Sequence, residues 1–435
     1  MSESEFHLQE KISLPPPAQV GRVRKFFANL GPGVITGAAD DDPSGISTYS
    51  VTGASFGYMP LWMALFSFPL MVSVQLMCAR LGLVTGRGLA GAVALHFPRW
   101  VLWGACGLLI IANVFNIGAD LAGMAEASEM MTGIPAYFWT PIYALLIISL
   151  LFFSSYRLIA RVFKWLTLVL FAYILTALLA KPDWHAVLHA TFIPHVEWSS
   201  TFLTTFVGIL GTTISPYLFF WQAAQEVENG RAQGKITDQQ REETTIEELS
   251  DVRTDVVAGM FFSNLVMFFI ILTTASTLHA HGITQIETAK QAAEALCPLA
   301  GDSAYLLFTI GLIGTGMLAV PVLAGSTAYA VAEAKGWRGT LDDSPRLSQK
   351  FYAVIVISML LGLILDFVGV SAVKMLFYSA VLNGMLAPPL IVLVVLLTSK
   401  HEVMGKHVSS PILRCLGWTT AVIMGGAAIG MFVTL

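Results

Sequence analysis

Apolar runs long enough to cross a bilayer recur along the whole chain, and no other feature limits its fold so severely. A spanning helix needs about 20 mainly apolar residues. In lipid the backbone must satisfy its own hydrogen bonds, so such a run has to be helical. Eleven candidates follow one another, at roughly 27–57, 59–84, 100–130, 134–154, 158–180, 200–223, 254–278, 303–333, 351–369, 373–398 and 413–434. Charged residues make up 12% of the chain, against about 25% in a soluble domain. The expectation is an all-α polytopic membrane protein with eleven transmembrane helices. No basic patch suited to nucleic acid is present. The four cysteines (Cys78, Cys106, Cys297 and Cys415) are scattered without metal-binding spacing and read as ordinary buried thiols.

Charge asymmetry between loops gives the orientation. With the N-terminus in the cytoplasm, every lysine and arginine of the 24 falls inside except Lys181, Lys290 and Lys374. Dropping an early or central helix would destroy that bias. The sequence therefore divides into a cytosolic tail (1–25), a core (26–398) with a cytosolic loop at 226–253, and a last segment (399–435) with helix 11, whose end lies outside. The polar tail, with Pro15, Pro16 and Pro17, lacks a signal-peptide pattern. The charged 226–253 loop reads as a solvated connector whose "TTIEELSDVRTD" end leads into helix 7 as an amphipathic helix. Histidines 185, 189, 195, 279 and 281 fall in outside loops and read as solvated.

Two of the runs are interrupted. The first holds "GAADDDPSG", Gly37–Gly45, and the sixth holds "GTTISPY", Gly211–Tyr217. Proline removes an N–H and breaks the helix at Pro43 and Pro216, with Ser44 beside the first break. Broken helices five apart are the mark of a five-plus-five inverted repeat whose breaks meet at mid-membrane. Asp40, Asp41 and Asp42 each cost about 2.5–3.5 kcal/mol at a helix centre. Asp40 lies some 15 residues past the basic "GRVRK" edge, about 20 Å along a helix. A turn to the far side there would invert every later loop. Carboxylates beside freed carbonyls suit a bound cation.

These residues resemble the NRAMP family of divalent-metal transporters. "GPG" at Gly31–Gly33 and "DPSG" at Asp42–Gly45 stand where the family has its glycine-proline-glycine entry and its Asp-Pro-Gly-Asn break. "SPY" at Ser215–Tyr217 stands where the family has Met-Pro-His. The resemblance covers nearly the whole chain. It implies the inverted-repeat fold of the LeuT-like amino-acid/polyamine superfamily, with alternating access. It also implies metal ligands at Asp42, at the carbonyls of Ala39 and Thr212, and at the positions of Gly45 and Ser215, with Asp40 and Asp41 as added carboxylates.

The departures carry information. Gly45 removes an amide oxygen and Ser215 removes a thioether. An oxygen-only, roomier site suits hard cations such as Mg2+, which dehydrates reluctantly, or Mn2+. The pattern is similar to the NRAMP-related magnesium transporters. Tyr217 replaces the family's histidine, and the paired arginines of its ninth helix have no counterpart within 351–369. Asp120 matches an aspartate of the proton path, with Glu126 nearby as a substitute for the missing glutamate. Asn383 is a further amide toward the cavity or between helices. Proton coupling is therefore open, and proton-coupled Mn2+ or Fe2+ transport is the alternative reading. Glu226 and Glu228, closing helix 6, read as a solvated end or as an acidic exit funnel. An amino-acid or organic-cation carrier is disfavoured because three carboxylates would repel a substrate carboxylate. An intramembrane aspartyl protease using Asp42 and Asp120 lacks the GxGD-type motif, so no enzyme is expected; a channel is a further possibility. No cofactor is expected beyond the transported cation, and the partners are that ion and the bilayer, which is expected to be a bacterial plasma membrane. The sequence leaves the oligomeric state open and requires no more than a monomer.

Overall fold

The computed structural model describes residues 31–154, 158–159, 162, 168–235, 244–337, 339–366 and 369–434. The expected cytosolic tail, 1–25, lies outside these residues, as do Arg157, Arg161 and Lys164 of the fifth expected span. So does the middle of the 226–253 connector.

Every regular element among the described residues is helical. The main helices are α1 (Pro32–Asp40), α2 (Pro43–Phe56), α3 (Trp62–Thr85), α4 (Leu89–His96), α5 (Arg99–Thr132), α6 (Ala136–Phe153) and α7 (Ala172–Leu179). They continue with α8 (Trp184–Phe192), α9 (Ser200–Thr213), α10 (Pro216–Ala232), α11 (Ile246–Thr277), α12 (Ala289–Glu294) and α13 (Cys297–Ala300). The last are α14 (Ala304–Lys335), α15 (Gln349–Asp366), α16 (Ala372–Thr398), α17 (His401–Met404) and α18 (Pro411–Thr434). Among the described residues, 9 helical stretches are long and apolar enough to cross a membrane. The first expected span appears instead as the short pair α1 and α2, and the fifth is described only in part, with α7 near its end.

The two interruptions have the same construction. A helix ends at Asp40 or Thr213, two residues leave helical geometry, and a new helix opens with proline in its first turn. Proline fits there because the first N–H groups of a helix have no partner within it. Both second half-helices thus direct unbonded N–H groups, and both first half-helices unbonded carbonyls, into the protein interior.

Helix α11 holds the first broken pair in place. It packs along α1 and α2 and against α3. At the start of α1, where Gly31 has no side chain to act as a cap, the Asp255 carboxylate of α11 accepts three backbone N–H groups. These come from Gly31 (2.8 Å), Gly33 (2.6 Å) and Val34 (3.3 Å). Small residues then let the two backbones touch. A Cβ on Gly33 would lie 2.7 Å from Val256 N, and one on Gly37 2.8 Å from Gly259 Cα. Close approach through small residues is a common basis for helix association in lipid. The second broken pair is held similarly by α16, where a Cβ on Gly211 would lie 2.8 Å from Gly384 Cα.

The connector is more ordered at its ends than a solvated loop would be. Residues 226–232 belong to α10, and α11 opens at Ile246 behind a capping box formed by Thr245 and Glu248. Glu226 is buried, and its Oε1 accepts from Gln222 Nε2 at 2.9 Å. Glu228 accepts from the Tyr329 hydroxyl. The reading of these two glutamates as a solvated helix end is therefore corrected: α10 runs on into the protein and both side chains have partners.

Candidate functional site

The three aspartates play three different structural parts. Asp40 is the last residue of α1 and is fully buried. Its Oδ2 accepts from Ser263 Oγ at 2.5 Å, while its Oδ1 has no partner. Asp41 follows, with Oδ1 3.3 Å from the same hydroxyl. Asp42 is the N-cap of α2: its Oδ1 accepts from Gly45 N (2.7 Å) and Ser44 Oγ (2.8 Å). Its Oδ2 accepts from Asn116 Nδ2 of α5 at 3.1 Å. A carboxylate at a helix N-terminus is favoured by the helix dipole and by the free N–H groups.

The second break faces the first. Ser215, at the N-cap position of α10, turns its hydroxyl back onto α9 and donates to the carbonyls of Gly211 (2.8 Å) and Thr212 (2.7 Å). Tyr217 is fully buried and donates to the Ala39 carbonyl at 2.9 Å, linking α10 to α1. The carbonyls expected as ligands, those of Ala39 and Thr212, are thus both reached by a hydroxyl of the protein. Thr212 Oγ1 is buried within reach of the Tyr49 hydroxyl. The two breaks meet at Gly45. A Cβ there would lie 2.9 Å from Thr212 Oγ1, 3.3 Å from the Asp40 carbonyl oxygen and 3.5 Å from Asp42 Oδ1. Oxygen atoms of both breaks therefore converge on the spot that glycine leaves clear.

Among the described residues, no group of three or more histidine, cysteine, aspartate or glutamate side chains is placed to hold a metal ion. A cation at the breaks would accordingly rest on backbone and hydroxyl oxygens beside a carboxylate, not in a cage of carboxylates. That is a donor set for hard ions.

The remaining expected residues separate. Asp120 is fully buried on α5, close to Asp42 and facing the Ser44 amide. Glu126, two turns further along α5, accepts instead from the Ala289 N–H of α12 at 2.9 Å. It lines a separate cavity of about 560 Å3 with Glu129, Lys290 and Tyr305. Asn383 is buried on α16 with its amide unpartnered. Among the loop histidines, His279 is held by the Ala54 carbonyl at 2.7 Å through Nδ1.

Sequence reasoning passed over Asn116, Ser263 and Gln222. Asn116 lies four residues before Asp120, on the same face of α5, and that spacing was the available signal. Ser263 had none, since a lone serine in an apolar helix is common. Gln222 accepts from Thr36 Oγ1 at 2.6 Å and so ties α10 to α1 next to Glu226.

Comparison with known proteins agrees with this architecture. Residues 33–434 match the family model described as Nramp, natural resistance-associated macrophage protein-like. The chain is 28% identical over 412 residues to a divalent metal cation transporter MntH of Deinococcus radiodurans, covering 92% of this chain and 88% of that protein. It is 26% identical over 406 residues to a protein of the same name from Caldanaerobacter subterraneus subsp. tengcongensis, covering 91% and 90%. Among solved structures, a manganese transporter of Eremococcus coleocola superposes with a TM-score of 0.72 at 20% identity, over 96% of this chain and 88% of that one. Mhp1, a nucleobase-cation-symport-1 family transporter in a closed conformation, superposes with a TM-score of 0.55 at 14% identity, over 94% and 93%. These likenesses fix the fold as that of the broken-helix transporters. With the family model spanning nearly its full length, the chain belongs to the natural resistance-associated macrophage protein-like (Nramp) family.

Proposed function

We propose that this multi-pass membrane protein carries a hard divalent cation, Mg2+ or Mn2+, across a bacterial plasma membrane by alternating access at the paired breaks. The observation that carries the reading is the convergence of oxygens at Gly45, from Thr212, Asp40 and Asp42. Asp42 supplies charge; the carbonyls of Ala39 and Thr212 supply neutral oxygens once Tyr217 and Ser215 turn away. Asp40 and Asp41 add negative potential behind them, and Ser215 offers a hydroxyl where a thioether would have favoured softer metals. Gly45 leaves room for an ion that keeps part of its water shell. The named relatives are metal transporters, and the chain is a transporter rather than an enzyme. The basic ends of the helices are assigned to the cytoplasm on the charge bias.

A second reading, proton-coupled Mn2+ transport, is favoured by one observation. Asp120 lies fully buried beside Asp42 and the Ser44 amide, a placement suited to a group that takes and releases a proton. One experiment separates the two. Purified protein in proteoliposomes is given Mg2+ or Mn2+ with an ion indicator and an internal pH dye. Uptake of Mg2+ without acidification supports the first reading. Uptake of Mn2+ with acidification, and none of Mg2+, rejects it for the second; no uptake of either ion rejects both.

A further inference from the structure

At the arginine- and lysine-rich end of the bundle a cavity of about 640 Å3 opens between the end of α3, helix α4 and the α16–α18 loop. Arg87, His96, His401, Lys406 and His407 line it, against one acidic residue, Glu402. The loop that forms its far wall is fixed in place. Arg80 Nη2 donates to the His407 carbonyl at 2.9 Å, Ser409 N donates to the Thr398 carbonyl at 2.9 Å, and Lys400 Nζ sits 4.8 Å from the centre of the Phe97 ring. Arg80 Nε is buried behind that wall without a hydrogen-bond partner.

Two cations, Arg87 and Lys406, face this space; Arg87 also acts electrostatically on the buried Glu333 carboxylate of α14, but neither cation is within ion-pair distance of a carboxylate among the described residues. Burial, and after it the charges of Lys406 and Arg80, push the His407 imidazole below its ordinary range. The same cavity has an apolar side, formed by Val84, Met404 and Leu95, of which Leu95 is 59% exposed. Trp100, 77% exposed, follows in the first turn of α5. Tryptophan and leucine beside basic side chains are the composition of a membrane–water boundary. Basic pockets between helices at that level attract anionic headgroups.

We infer that this cavity is a binding site for a phosphate-bearing anion, with Arg87 and Lys406 as its principal charges. Guanidinium offers phosphate a two-pronged donor and ammonium a point charge. The bound anion would join α4 to the α16–α18 loop and so brace this end of the bundle. The transport reading is not needed for this inference, because none of these residues lies at the helix breaks.

The test compares the full-length protein with an Arg87→Gln, Lys406→Gln double variant. Thermal unfolding is followed in detergent as inorganic phosphate replaces chloride at constant ionic strength. It is followed again in nanodiscs of phosphatidylglycerol against phosphatidylcholine. The expected result is a rise in the midpoint with phosphate or with phosphatidylglycerol, and at least roughly tenfold weaker binding in the double variant. A response to phosphate assigns a soluble ligand, and a response only to phosphatidylglycerol assigns a lipid headgroup. Equal responses in the two proteins, or none in the parent, overturn the inference. If the double variant fails to fold, Glu402→Gln replaces it. Removing the one acidic lining residue must then tighten binding, and unchanged or weaker binding overturns the inference.

Discussion

On the proposed reading, Asp42 combines two roles with different chemical requirements. Capping α2 needs an oxygen, while attracting a dication needs a charge. Asp42→Asn keeps an N-cap oxygen for Gly45 N–H and removes the charge. The expected outcome is a protein that purifies and melts like the parent and shows no saturable cation uptake in proteoliposomes. Asn116 acts through Asp42, holding its second oxygen. Partners that orient a metal ligand cost about 10–100-fold in affinity when lost. Asn116→Leu is therefore expected to raise the half-saturating ion concentration by that factor, read from initial uptake rates. The sequence made Asp42 legible because a carboxylate next to Pro43 inside an apolar run has few structural explanations. Asn116 was legible only through its spacing from Asp120, and Ser263 not at all. Their partners lie 74 and 223 residues away, and only the packing of α5 and α11 onto the break brings them there. Glu126 shows the reverse case. Proximity in sequence to Asp120 suggested a shared path, but six residues along a helix is about 9 Å, and Glu126 meets the start of α12.

At the scale of elements, the interruption of the first span depends on a helix far along the chain. Asp255 accepts three N–H groups at the entry to α1. Asp255→Ala leaves them without a partner, at a cost of about 1–3 kcal/mol, and loosens α1 at one end while its aspartates remain. We expect a lower midpoint of thermal unfolding and faster labelling of a cysteine introduced at Ala38, measured with a water-soluble maleimide. Unchanged labelling would show that α1 is held by its glycine contacts with α11 alone. The prolines placed the breaks correctly in the sequence, because Pro43 and Pro216 cannot continue a helix. The start of α11 was harder to place. Hydropathy put it near residue 254, whereas the capping box at Thr245 starts the helix before its apolar part begins. Glu226 and Glu228 misled for a related reason: charge suggested solvent, whereas Gln222 of the same helix and Tyr329 of α14 supply their partners.

For the whole molecule, the proposed reading makes the donor set at the breaks the source of selectivity. Oxygen ligands without a thioether should discriminate poorly in favour of soft ions. Cd2+ is therefore expected to inhibit Mn2+ uptake less than equimolar unlabelled Mn2+ does, measured by competition in the same vesicles. Replacing Ser215 by methionine should reverse that order. The repeated helix pattern and the charge bias made the fold class readable without coordinates; the cavity at the basic end was not, because it forms between α4 and a loop some 300 residues later. The hydroxyls of Tyr217 and Ser215 have a kinetic consequence. A carrier that delivers net cargo must make its return journey unloaded, and bare carbonyls in a dry interior would make that leg slow. Here two side chains hydrogen-bond to the Ala39 and Thr212 carbonyls, and on the proposed mechanism they would take the ion's place on that leg. The return leg then costs little, and flux should not depend on cargo waiting on the far side. Tyr217→Phe removes one of these stand-ins. That variant should run faster when ion is supplied on both faces than on one, behaving as an exchanger where the parent carries net flux down its gradient.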